Sequence, residues 1–122
     1  MSKAQFLESN LAPGEEYAGI ILGKDGNPDY HLFLLPGEDE YVFTWDQAGE
    51  FARECGGELP TRREQYLLFA NLKEQFKDEW YWSGEEPSDQ RFAWLQDFGS
   101  GFQDDRHKNN QFRARAVRRV EI

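Results

Sequence analysis

With 122 residues and 14.3 kDa, the chain is sized for one domain that buries roughly two-thirds of its surface, enough for a core without staples. A net charge of −9 argues against nucleic acid or an anionic membrane as a partner, and no run approaches the ~18 apolar residues of a membrane span. A single cysteine, Cys55, excludes an internal disulfide and points to the cytoplasm.

In chain order, Lys3 to Asn10 reads as two turns of helix with Phe6 and Leu7 inward, broken by Ala12-Pro13-Gly14. Residues 17–22 and 30–35 read as two strands of a hairpin, joined by a loop rich in turn formers at 23–29. Tyr41-Val42-Phe43 is expected as a short strand. A capping box at Thr44-Trp45-Asp46-Gln47 then opens a helix. Its apolar stripe is Ala48, Phe51, Ala52 and Cys55, with Gly56-Gly57 as the stop. Cys55 is read as a small core residue.

A second capping box, Thr61 with Glu64, follows Leu59-Pro60 and opens a helix to about Phe76, with Leu68, Leu72 and Phe76 stacked at intervals of four. Trp80-Tyr81-Trp82 is extended. Phe92 to Phe98 and Phe102 to Asp104 form a hairpin across Gly99-Ser100-Gly101. Asp104 to Asn110 is expected as a polar turn rather than a metal cluster around His107. Phe112 to Val120 is expected as the closing strand, with Ala114 and Ala116 packed closely against the helices.

The charge is unevenly placed. Residues 1–60 hold twelve acids and three bases, whereas 61–122 hold eleven of each. The stretch 106–119 carries six bases and no acid, and is expected to be solvated or paired with the chain's own carboxylates. Trp82 and Trp94 are expected in the core. Trp80 or Tyr81, on opposite sides of one extended segment, is a candidate anchor for a partner.

Leu59-Pro60-Thr61, Trp80-Tyr81-Trp82-Ser83, Ala93-Trp94 and Arg113-Ala114-Arg115-Ala116-Val117-Arg118, in that order, resemble a bacterial and phage domain family of unknown function with a C-type-lectin-like fold. The resemblance spans about residues 41 to 120. It implies an α+β chain in which two helices flank a small twisted antiparallel sheet. Residues 1–40 would form an N-terminal hairpin extension packed on a lectin-like core over 41–122, all within one domain. Some relatives bind sugar through calcium. Glu85-Glu86-Pro87-Ser88-Asp89 lacks the matching amide, so no calcium site, metal or other cofactor is expected. Sulfatase-activating enzymes on this fold use paired cysteines, which a lone Cys55 cannot supply. No catalytic set appears, and the chain is read as non-enzymatic.

The resemblance implies a phage or prophage binding module that engages a protein or other ligand through its loops. The candidate residues are Trp80, Tyr81, Glu85, Glu86, Asp89, Gln90, Arg91, Arg106 and His107. The charge pattern suggests a different function, a phosphate-mimicking anti-defence inhibitor of a host nucleic-acid enzyme, acting through Glu38, Asp39 and Glu40. Either would work in the host cell cytoplasm, with a protein as partner.

Overall fold

The computed structural model describes residues 2–37 and 40–122. The chain is α+β and, among the described residues, has three α-helices and two small antiparallel sheets of three strands each. Helix α1 (Lys3–Asn10) is followed by the β1 (Glu16–Ile21) and β2 (Tyr30–Leu34) hairpin. Helices α2 (Trp45–Glu54) and α3 (Arg62–Leu72) come next, and a single 3-10 turn at Lys73–Gln75 extends the second. Strands β3 (Trp80–Trp82), β4 (Phe92–Asp97) and β5 (Gln103–His107) form one sheet, while β6 (Val117–Glu121) returns to pair with β2 in the other. Among the described residues, no helix is long and apolar enough to cross a membrane.

Local chemistry accounts for the helix starts. Gln47 Oε1 accepts the Thr44 N–H at 3.1 Å. Thr61 Oγ1 accepts the Glu64 N–H at 3.2 Å, and Glu64 Oε1 accepts the Thr61 N–H at 2.8 Å, so both halves of that capping box are made. Gly56, at φ +91°, turns the chain out of α2. Leu59 is buried just ahead of α3, beside Trp82, Ala93 and Leu95. Thr61→Ala should therefore cost about 1 kcal/mol through the lost cap. Leu59→Ala should cost about 2–5 kcal/mol through the cavity it leaves. Thermal melts of the two variants check this order, and a larger loss at Thr61 would contradict it.

Two groups of buried side chains hold the elements together. Leu32, Leu34, Leu68, Phe76, Tyr81, Phe98 and Val117 join the hairpin, α3 and both sheets. Ala48, Ala52, Trp82, Leu95, Ala114 and Ala116 join α2 to the second sheet, so the alanines of the last segment do pack against a helix. Cys55 borders this second group, and burial pushes its thiol pKa up.

Several sequence expectations are corrected. Among the described residues there are two three-stranded sheets rather than a single small sheet between two helices, and the helix expected at Lys3 to Asn10 is present as a third. Residues 41–43 do not form a strand: Phe43 alone bridges Phe112, and Tyr41 and Val42 are exposed. The closing strand begins at Val117, not Phe112. Ahead of it Ala114, Arg115 and Ala116 are buried in succession, which a strand with one solvated face does not do. They carry the chain from Arg113, which bridges Tyr81 at one sheet, to Val117 at the other. Strand β5 runs on to His107 through residues expected in a polar turn. As an edge strand with partial solvent exposure, it needs no apolar alternation.

Arg106, Lys108, Arg118 and Arg119 of the basic stretch pair with the chain's own acids, whereas Arg115 is buried and donates to the Gln75 and Leu35 carbonyls. Arg118 makes a two-pronged pair with Glu15, at 2.7 Å on each prong. Arg119 reaches Glu64 at 2.6 and 2.8 Å and Glu58 at 2.7 Å.

Candidate functional site

The loop from Ser83 to Arg91 is held in shape by its own polar groups. Glu85 accepts the Arg62 N–H at 2.7 Å, placing a carboxylate on the first turn of α3, where the helix dipole favours an anion. Glu86 pairs with Lys108 at 2.7 Å, and the Lys108 ammonium lies 4.4 Å from the centre of the Trp45 ring. The Trp45 indole N–H donates to the Ser83 carbonyl at 2.9 Å, tying the loop to α2. Asp89 grips the Arg91 side chain at 2.6 Å and accepts its backbone N–H at 3.0 Å. These hydrogen bonds hold the Asp89 carboxyl pKa down to about 2.

The two segments carrying the expected loop residues do converge. Lys108 N–H donates to the Arg91 carbonyl at 3.0 Å, and Phe92 pairs with His107. Glu85, Glu86, Asp89, Gln90, Arg91 and His107 thus belong to one end of the β4–β5 ladder. Gln90 and Arg91 are exposed there. His107 is exposed too, accepting the Asn109 N–H at Nδ1 and meeting the Phe92 ring edge-on. Arg106 pairs with Asp104 and donates to the Asp105 carbonyl at 2.8 Å.

The two aromatic candidates belong elsewhere. Trp80 pairs with Asp97 at the far end of β4, about 17 Å along the strand from Phe92, and is half-buried edge-on to Phe102. Tyr81 is only 1% exposed, between Phe76 and Phe98, with its hydroxyl accepting the Lys77 N–H, so it offers no surface to a partner. Trp82 is fully buried, as expected. Trp94 is half-buried, and the Arg62 guanidinium covers its ring at 3.6 Å. Glu38 and Asp39 lie outside the described residues, and Glu40 is exposed.

One concavity was not anticipated from sequence. It is a cleft of about 720 Å³ at the foot of this loop. Trp45, Asp46, Glu50 and Arg53 of α2 line it, as do Glu58, Leu59 and Thr61 from the α2–α3 connection, Gly84 and Arg119. Its volume falls in the range of ligand sites. No protein-family model matches this chain, and no curated protein matches it in sequence. Function therefore has to be argued from this geometry.

Behind the cleft wall lies a buried group of interacting charges. Glu64 is fully buried, and it accepts the Tyr30 hydroxyl at 2.6 Å as well as both prongs of Arg119. Burial works to raise its pKa. The Arg119 guanidinium, the Tyr30 hydroxyl and the Thr61 N–H outweigh that and hold it below the ordinary value. Burial and the neighbouring Glu64 push Tyr30 up to about 12. Each group here has a structural partner, so the cluster braces the cleft. A sequence signal near the cleft did exist: Asp46, Glu50 and Glu54 recur every fourth residue as an exposed stripe along α2, and the first two line the cleft.

Proposed function

We propose that the chain is a non-enzymatic, protein-binding module of phage or prophage type, on a C-type-lectin-like scaffold and acting in the host cytoplasm. The observation that carries this is the internally pinned Ser83–Arg91 loop standing over the cleft. Its carboxylates tie it to the Arg62 N–H of α3, to Lys108 and to Arg91, leaving Gln90 and Arg91 presented on a fixed frame. A frame ordered in advance lowers the entropy cost of binding. Support for the lectin-like scaffold comes from the pair of helices beside the β3–β4–β5 sheet and from the Phe43–Phe112 bridge, which joins the two ends of the 41–120 region.

A second reading, a phosphate-mimicking inhibitor, is favoured by the α2 stripe, whose carboxylates repeat about every 6 Å. Affinity capture from host lysate separates the two. The loop reading expects Gln90→Ala with Arg91→Ala to release the captured protein at low and high salt alike. The inhibitor reading expects charge reversal at Asp46, Glu50 and Glu54 to release it, with steep salt dependence. Capture lost only in the second set would reject the loop reading.

A further inference from the structure

Sheet edges are where a β-containing protein meets other chains, because unpaired N–H and C=O groups there template another strand. Three edges of this molecule are covered or blunted. Along β1, Asn71 donates to the Ala18 carbonyl at 2.7 Å and Arg63 to the Leu22 carbonyl at 3.1 Å. The spacing is geometric: eight helical residues rise about 12 Å, and four strand residues about 13 Å, so α3 splints that edge. At β3 the outer side is met by Arg113, which accepts from the Trp82 N–H at 2.9 Å and donates to the Trp80 carbonyl at 3.1 Å. On β5, Asp104, Asp105 and Arg106 blunt the edge with charge.

Strand β6 differs. On the side away from β2, Val117 and Glu58 exchange both backbone bonds, at 2.9 and 3.0 Å. In an antiparallel ladder the N–H and C=O of one residue point the same way, and those of the next residue point oppositely. Arg118 and Val120 therefore face β2, as does Ile122, whose N–H donates to the Asp29 carbonyl at 3.1 Å. Arg119 and Glu121 face outward like Val117. Among the described residues, no other group meets their backbone N–H and C=O.

We infer that this edge is a strand-addition site for an extended, basic protein segment. The inference deepens the proposed binding role and rests on it for the partner's being a protein. An added strand would continue the pairing that Glu58 already makes with Val117. Charge selects the occupant. Arg119 lines the 720 Å³ cleft, and together with Glu121 it lines a second hollow of about 360 Å³. The walls of the cleft carry Asp46, Glu50 and Glu58 against Arg53, with Arg119 shared between Glu58 and Glu64. In the second hollow Lys24 and Arg63 balance Asp25 and Glu121, so the acidic excess lies with the cleft carboxylates. Lysine or arginine at alternate positions of an added strand meets these carboxylates, and an acidic segment is repelled.

The test uses a synthetic peptide of alternating lysine and valine as probe, read by amide hydrogen exchange on the full chain. In the free protein the Arg119 and Glu121 amides should exchange quickly and those of Arg118 and Val120 slowly. The peptide should protect Arg119 and Glu121. A glutamate–valine peptide, or the lysine–valine peptide N-methylated at alternate residues, should not. Glu121→Pro removes an N–H that β2 does not use, a change an edge tolerates. It should weaken the peptide roughly two- to tenfold, the worth of one backbone hydrogen bond, with an unchanged melt. If that variant melts early, the N-methylated peptide on the unaltered chain carries the same test. The inference is overturned if the lysine–valine peptide leaves both amides unprotected, if either control peptide binds equally well, or if the two amides are already protected in the free chain. Gln90→Ala with Arg91→Ala should leave peptide protection intact, so failure of the edge and failure of the loop reading register separately.

Discussion

Arg119→Met should lower the unfolding free energy by about 3 kcal/mol or more, because it strands a fully buried carboxylate. Glu64 would keep the Tyr30 hydroxyl and the Thr61 N–H but lose the Arg119 cation paired with it. The effect should depend on pH in a defined direction. The folded-state pKa of Glu64 is lowered from its ordinary 4.5, so its stabilising contribution is present above that value and is lost as pH falls through the folded pKa. Once pH falls through the lowered folded pKa of the wild type, the carboxyl is neutral in both proteins, and the difference between wild type and variant should shrink. Urea unfolding at neutral and acid pH measures both quantities. A loss under about 1 kcal/mol, the range of a surface pair, or a difference that does not narrow in acid, would contradict this account. Glu58→Gln is the control: the Glu58 side chain is 73% exposed, so its pair with Arg119 should matter little.

Gly57→Ala should cost about 3 kcal/mol or more by overpacking. A methyl group at Gly57 would stand 2.2 Å from the Val117 carbonyl oxygen and 2.7 Å from Leu35 Cδ1. That carbonyl accepts the Glu58 N–H, so the clash prises apart the bridge that joins the α2–α3 connection to β6. Gly56→Ala makes the comparison informative. Gly56 has φ +91° with nothing within 4 Å of an added methyl, so only the left-handed conformation opposes it, at about 1–2 kcal/mol. Thermal unfolding of the two variants should therefore rank them, with Gly57→Ala the less stable. The reverse order would mean that β6 gives way readily and that the Glu58 bridge does not anchor it.

These two variants mark the boundary of what a reading of the chain alone can reach. Gly56-Gly57 is recognisable as a helix stop from its composition. Which glycine supplies backbone freedom and which supplies room depends on Val117, 60 residues away. Glu64 is a similar case. Its place in a capping box with Thr61 is legible, because that contact spans three residues. Its burial against Arg119 spans 55 and is not.

The amino-acid sequence by itself determined the elements whose signals are local: the hairpin through its turn formers, α2 and α3 through their caps and apolar spacing, and the β4–β5 turn through Gly99-Ser100-Gly101. It named Glu85 to Arg91 and His107 as one loop surface, but the register that sets His107 opposite Phe92 appeared only when β5 ran on past Asp104. The tertiary structure decided what depends on which strand pairs with which. β2 takes β6 as its neighbour, so the closing segment runs through the core instead of forming one long strand. Tyr81 is turned inward because Arg113 and Phe98 cover it from other parts of the chain. The cleft exists because α2, the 58–61 connection and β6 are brought together, and the open edge at Arg119 and Glu121 exists because Glu58 sets the parity of β6. Alternation within a strand says which residues share a face, but not which edge a pairing leaves open, and that is the physical reason the proposed binding surface emerged only with the fold.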